Sequence, residues 1–177
     1  MTVKFIRKAV KDDVSKIMEI IQKAKKILAD ENIPQWQSGY PDLKVIEDDI
    51  NKGYAYVLIV GTSIAGVVTL LQEEEPNYCR IYAGKWSHKE KAEKYASIHR
   101  IAIDADYSGE HLSDFFFSNI LTIAYQLGFR QIRIDTHASN KRMQHIVGKI
   151  GFSYSGVVYM HGNSKDKRNA YQLFLTD

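Results

Sequence analysis

Apolar positions recur at strand or helix spacing along most of the chain, and the recurrences divide it into elements. VKFIRKA (3–9) is short and β-prone, and it leads into KDDVSKIMEIIQKAKKIL (11–28), where Val14, Ile17, Met18, Ile21 and Leu28 return at helical intervals. A strand followed by an amphipathic helix is predicted. ENIPQWQSGYPDL (31–43) combines two prolines, a glycine and two large aromatics, which predicts a loop. KVIEDDINKG (44–53) reads as a short helix stopped at Gly53, and YAYVLIVG and SIAGVVTLLQ flank Gly61 and Thr62 as the two strands of a hairpin. Beyond Gln72 the pattern dissolves into a polar stretch reaching about Lys94, with Pro76, Cys79 and Trp86 inside it, which reads as a surface excursion.

The second half is more regular. ASIHRIAID (96–104) predicts a strand, and past a glycine turn Leu112, Phe115, Phe116, Ile120, Ile123 and Leu127 form one helical stripe. RQIRIDTH (130–137) alternates as a strand does. NKRMQHIVGKIGF (140–152) opens with an N-capping residue, Asn140, places Met143, Ile146, Val147 and Ile150 on one face, and closes at Gly151, suited to a C-cap. SYSGVVYMH and AYQLFL predict two final strands joined by the polar turn GNSKDKR. About seven strands and four helices in mixed order predict an α/β domain, with hairpins around one βαβ crossover.

Composition narrows the class. A chain of 177 residues, 45% hydrophobic and 25% charged, can bury one good core, so residues 1–177 are expected to form a single domain. The formal charge of +3 is spread along the chain and no basic cluster interleaves with aromatics, which argues against nucleic acid; the densest basic stretch, KAKKI (23–27), reads as a solvated helix face. No run has the length of a membrane span, the start lacks a signal-peptide core, and the lone Cys79 precludes an internal disulfide. A cytoplasmic protein without a membrane partner is expected. The six histidines lack metal-ligand spacing, and neither a GxSxG elbow nor a catalytic-cysteine context is present, so neither a metalloenzyme nor a hydrolase is supported.

The order of elements, together with IPQWQSGYP after the first helix, IHRIAID on the fourth strand and DTHASNKRMQHIVGKIGF across the fifth strand and fourth helix, resembles the GCN5-related N-acetyltransferase (GNAT) family over nearly the whole chain. The resemblance implies a mixed, twisted sheet splayed between strands four and five, with acetyl-coenzyme A as co-substrate. In the family a turn of pattern Gln or Arg, two residues, Gly, one residue, Gly or Ala presents backbone N–H groups to the cofactor's pyrophosphate at a helix N-terminus. Here the six positions are Ser108, Gly109, Glu110, His111, Leu112 and Ser113, and none of the three specified positions matches. His111 is tolerable there if its φ is negative. Glu110 and Asp114 lie in the first turn, with Asp104 and Asp106 upstream. A carboxylate ~6 Å from a phosphate costs roughly 0.7–3 kcal/mol if it points inward, and little if it faces solvent and complements the helix dipole.

The resemblance further implies that backbone groups of Ile101, Ala102 and Ile103 pair with the pantetheine arm and that Asn140 contacts it, besides or instead of capping its helix. The tyrosine that often protonates the leaving thiolate falls at Val147, so the usual general acid is absent. Tyr154 and His137 are the substitutes by position, and His99 could serve as base because its reference pKa lies near working pH. For the histidines a packing or capping role is the alternative. Trp36 and Tyr40, in the loop over the family's acceptor pocket, are the candidate acceptor-binding residues, with Tyr82 and Trp86 as further wall. Two functions stay open: an acetyl-coenzyme A-dependent transferase acting on a primary amine, small or peptide-borne, by direct attack on the thioester, or a non-catalytic ligand-sensing or partner-binding module of the same fold. Exposed strands near the C-terminus could pair two copies as a homodimer.

Overall fold

The computed structural model describes residues 2–89 and 94–175, so the end of the polar stretch, 90–93, lies outside the described residues. Seven strands form one mixed sheet: β1 (Lys4–Lys8), β2 (Ala55–Val60), β3 (Ser63–Leu71), β4 (Tyr95–Ile103), β5 (Gln131–His137), β6 (Ser153–Tyr159) and β7 (Lys167–Phe174), in the order β1-β2-β3-β4-β5-β7-β6. The helices are α1 (Val14–Asp30), α2 (Leu43–Asn51), α3 (Leu112–Gln126) and α4 (Lys141–Ile150). The parallel pair is β4 with β5, joined through α3, as a crossover requires. Its ladder joins Tyr95–Ile98 to Gln131–Ile134. Within this α/β domain the packing gathers into two compact units, residues 1–70 with 99–119 and residues 71–98 with 120–177.

In the first unit, β2 is buried along its whole length between β1 and β3. Ile17, Ile20 and Ile21 of α1, at the i, i+3, i+4 spacing of one face, and Ile46 of α2 close over Val57, Ile59 and Val67. Asp42 caps α2, its Oδ1 accepting from the Val45 N–H at 2.9 Å. Gly66 lets β3 approach β4 closely: a Cβ there would lie 3.0 Å from the Ala102 carbonyl oxygen and 3.1 Å from Phe116.

In the second unit, β7 lies between β5 and β6. The predicted surface excursion is corrected here. Tyr78 and Trp86 pack with Val158 and Ala170 in a core of their own, and the Trp86 indole donates to the Tyr78 carbonyl at 3.0 Å. Arg133 of β5 is stacked between two rings, 4.1 Å from the Trp86 centroid and 3.8 Å from that of Tyr95. The outer edge of β6 is occupied by the same segment: Tyr82 and Val157 exchange both backbone hydrogen bonds at 2.8 Å, and the Lys85 N–H donates to the Ser155 carbonyl at 2.9 Å. The C-terminal edge is thus taken, at these residues, by the chain's own backbone, which removes that ground for pairing two copies.

The buried stripe of α3 is Leu112, Phe116, Phe117, Ile120 and Ala124, while Leu127, expected on it, lies beyond the helix and is 46% exposed. β7 begins at Lys167, inside the stretch expected to be a turn. Among the described residues no helix is long and apolar enough to cross a membrane.

Candidate active site

The turn between β4 and α3 is built on Asp104. This carboxylate is 1% exposed, and its Oδ1 accepts from the Asp106 N–H at 3.2 Å, starting a single 3-10 turn over Ala105–Tyr107. A buried carboxylate needs partners. Lys16 reaches its Oδ2 at 2.8 Å and Lys23 its Oδ1 at 2.9 Å, both from α1. Lys23 also holds Asp106 at 2.8 Å, and Glu110 lies 3.8 Å from Lys4 of β1. Burial alone would push the Asp104 carboxyl up, but the two ammonium groups outweigh it and hold it below the usual range. Both lysines are held above theirs, Lys23 chiefly by Asp106 and Lys16 chiefly by Asp104. The expectation for KAKKI is corrected at Lys23, which is part of this network. Asp104 and Asp106 do not stand unpaired toward a phosphate, being held by lysines of α1, while Glu110 faces solvent as expected, with Lys4 of β1 at 3.8 Å.

Ser108, Gly109, Glu110 and His111 are exposed, Ser113 is half-buried and Leu112 is buried at the start of α3. Ser108 and Glu110 spend their N–H groups inside the turn, on the carbonyls of Ala105 and Tyr107. Among the described residues the N–H groups of Gly109, His111, Leu112 and Ser113 meet no backbone acceptor. His111 has φ +53°, against the negative value its tolerance was expected to require, and Gly109 has φ +86°. The left-handed conformation at His111 explains physically why a glycine suits that place in the pattern.

On β4, the Asp104 N–H donates to Ala65 of β3 at 2.8 Å, and the Ala102 carbonyl faces Gly66. Alternation along the strand then turns the backbone groups of Ile101 and Ile103 to the opposite edge. Arg100 has φ +51°, a break in the strand that re-aims its side chain. Its guanidinium donates to Asp49 from Nε at 2.6 Å and from Nη2 at 2.9 Å, and to the Tyr40 hydroxyl from Nη1. Thr69 donates to the same Asp49 at 2.6 Å. Tyr40 is thereby attached to β4, and Lys25 of α1 pins the loop on either side of it by donating to the carbonyls of Gly39 at 2.9 Å and Pro41 at 2.7 Å. Trp36, half-buried, packs against the core of this unit. His99 is half-buried with its Nε2 shut off from solvent, and that desolvation followed by the charge of Arg100 pushes it down to about 3. Its reference titration, the ground for reading it as a base, is therefore displaced far below neutrality.

In the second unit, Asn140 caps α4, accepting from the Met143 N–H at 3.1 Å, and Gly151 closes the helix at φ +108°. The His137 Nδ1 accepts from the Ser139 N–H at 3.1 Å, which assigns the ring's hydrogen to Nε2. Burial and then Arg168 push its pKa down. Gln144 donates to the Ala138 carbonyl at 2.7 Å and accepts from the Tyr171 hydroxyl at 3.5 Å. Tyr154 is 54% exposed and meets Tyr171 edge-on at 5.7 Å. It also lines an open cavity of about 360 Å³ with Lys85, Gln172 and Phe174. Tyr154 pairs with Tyr171, which pairs with Ile134, so Tyr154 and His137 are two strands and three residues apart. That spacing is roughly 14 Å of backbone, so the two do not act on one atom together. Val147 is fully buried.

Sequence reading had not singled out Arg100, Asp49, Thr69, Lys16 or Lys23. Only one regularity could have pointed to the lysines: Lys16 and Lys23 are two helical turns apart on one face of α1, and two aspartates alternate at 104 and 106.

A mixed sheet with one parallel crossover, a turn leading into α3 and an Asn-capped α4 define the α/β architecture of an acyl-transfer domain. The chain belongs to the GNAT acetyltransferase family, whose model matches residues 21–152. A GNAT-family acetyltransferase from Streptococcus agalactiae is 34% identical, with a TM-score of 0.87 over 98% of this chain and 96% of that one. The fold alone is shared with a Salmonella typhimurium protein solved with its cofactor acetyl-CoA, at 17% identity and a TM-score of 0.66 over 98% of this chain and 95% of that one. It is shared likewise with spermidine N-acetyltransferase from Vibrio cholerae in complex with CoA and spermine, at 14% identity and a TM-score of 0.66 over 97% and 95%. No curated protein matches the chain.

Proposed function

We propose that the protein transfers the acetyl group of acetyl-coenzyme A to a primary amine by direct attack on the thioester. The observation that carries this reading is the pairing of Asp104, Asp106 and Glu110 with Lys16, Lys23 and Lys4. It relieves the repulsion that these acids would otherwise exert on a pyrophosphate, leaving backbone donors at Gly109, His111, Leu112 and Ser113 to bind it, with Ser108 and Glu110 shaping the turn. The edge groups of Ile101 and Ile103, with Ala102 between them, hold the pantetheine arm, and Asn140 adds to its cap role a contact with that arm. His137 protonates the leaving thiolate from its imidazolium form as the C–S bond breaks, giving up for it the hydrogen bond that Nδ1 accepts from Ser139, while Tyr154 is the alternative donor. His99 has a packing role in this reading. Trp36 and Tyr40 face the acceptor, and spermidine, the substrate named for a protein of the same fold, belongs in the first set of amines to test.

Calorimetric titration with acetyl-coenzyme A tests the reading, followed by mass spectrometry of an amine panel. Saturable binding at micromolar levels supports it, and His137→Ala and Tyr154→Phe then separate the two donors. No heat and no thermal stabilisation at millimolar cofactor sinks it. That result would favour the non-catalytic module, to which one observation already points: a buried valine, Val147, stands where the family often carries its tyrosine acid.

A further inference from the structure

We infer that Lys16 and Lys23 are positioning residues for the pyrophosphate of coenzyme A, an inference that rests on the transferase reading and deepens it. Seven residues apart, they project from one face of α1 and grip opposite oxygens of Asp104 at 2.8 and 2.9 Å. Asp104 is 1% exposed and begins the turn, so these two ion pairs fix where the chain leaves β4. Lys23 takes Asp106 as well, at 2.8 Å, and Glu19 one turn earlier holds both lysines, at 2.9 Å from Lys16 and 3.1 Å from Lys23. Inside the turn the N–H groups of Asp106, Tyr107, Ser108 and Glu110 bond to Asp104, Ala105 and Tyr107, bonds between near neighbours that shape the turn without fixing its direction. Its orientation is therefore imposed from α1. The same contacts cancel charge. Without Lys23, Asp106 loses its ammonium partner and Asp104 keeps only Lys16, so the phosphate would meet a displaced turn and two under-compensated carboxylates.

The test measures the dissociation constants of acetyl-coenzyme A and of dephospho-coenzyme A, which keeps the pyrophosphate, for the wild-type chain, Lys23→Met, Lys23→Arg and the double variant Lys23→Met with Asp106→Asn. Lys23→Met should weaken both ligands about ten-fold or more. Lys23→Arg should retain most of the affinity, and the double variant should recover a substantial part by removing the exposed carboxylate. A merely structural lysine predicts no recovery on losing Asp106. Should Lys23→Met fail to fold, Asp106→Asn alone decides, because that position is exposed: it should bind both ligands at least as tightly as wild type. A change of less than two-fold in Lys23→Met, a loss that neither rescue restores, or weaker binding by Asp106→Asn overturns the inference while leaving the transferase reading in place. Failure of the wild-type chain to bind acetyl-coenzyme A overturns both.

Discussion

Arg100 grips Asp49 at two points, Nε to Oδ2 at 2.6 Å and Nη2 to Oδ1 at 2.9 Å, with the two side chains only 9% and 8% exposed. The pair joins the left-handed residue of β4 to α2, and through the Tyr40 hydroxyl it also joins the loop after α1. Removing one partner of a buried pair leaves the other charge uncompensated. Asp49→Ala should therefore cost about 3–5 kcal/mol in urea unfolding, whereas Asp49→Leu combined with Arg100→Met should cost much less. Equal losses in the two variants would mean that packing, not charge, holds this corner.

His99 gives the fold an acid sensitivity of its own. Its imidazole titrates at 6.5 when unperturbed and at about 3 in the fold, so the unfolded chain takes up a proton that the native state refuses. The contribution is complete above 6.5 and is lost progressively as the pH falls toward 3. Over that window it amounts to at most about 5 kcal/mol. Unfolding free energy followed against pH should fall from 6.5 downward, before the carboxylates begin to protonate, and His99→Gln should flatten that part of the curve. His137 is also depressed and adds in the same direction, so the flattening will be incomplete.

What could be read in the chain was local. Asn140 and Gly151 bracket α4 as their residue types require, and Gly61 and Thr62 do turn a hairpin, because caps and turns are decided within a few residues. The acidic turn shows the limit. Its acids were visible, but the lysines that pair with Asp104 come from 81 and 88 positions earlier in the chain, and no local pattern records such a match. The segment around Tyr78 and Trp86 was misread for a related reason: single large aromatics among charged residues carry no periodicity, yet one tyrosine and one tryptophan suffice to found a small core. His111 illustrates the third gap, since the φ of a residue in an irregular turn follows from the path between two anchored elements.

At His111 the conformational cost can be measured directly. Its φ of +53° disfavours any residue with a Cβ, least of all asparagine, aspartate and histidine, and most of all a β-branched one. His111→Val should destabilise the protein by about 1–2 kcal/mol, while His111→Gly should be neutral or slightly stabilising. Thermal melts of the two variants beside wild type check the order. If coenzyme A binds this turn, His111→Gly should also retain the affinity and His111→Val should lose it.

Gly84 tests how the edge of β6 is protected. A Cβ at this position would lie 2.0 Å from the Ser155 carbonyl oxygen and 2.9 Å from the Gly156 Cα, and both are backbone that cannot rotate away. Gly156 faces the segment from the other side, where a Cβ would come within 2.7 Å of the Tyr82 carbonyl. The two glycines thus let the chain press against β6 closely enough for Tyr82 and Lys85 to form their backbone hydrogen bonds with Val157 and Ser155. Gly84→Ala must push the strands apart. The expected cost is about 1–3 kcal/mol, read by chemical denaturation. The displaced segment would also leave unpaired N–H and C=O groups along β6, the kind of edge through which sheets of separate molecules join. Light scattering on a sizing column should accordingly show Gly84→Ala shifting toward larger species with rising concentration, relative to wild type. A variant that loses stability without this shift would show that other residues guard the edge, and one that loses neither would show that the close approach of Gly84 to Ser155 does not persist in solution.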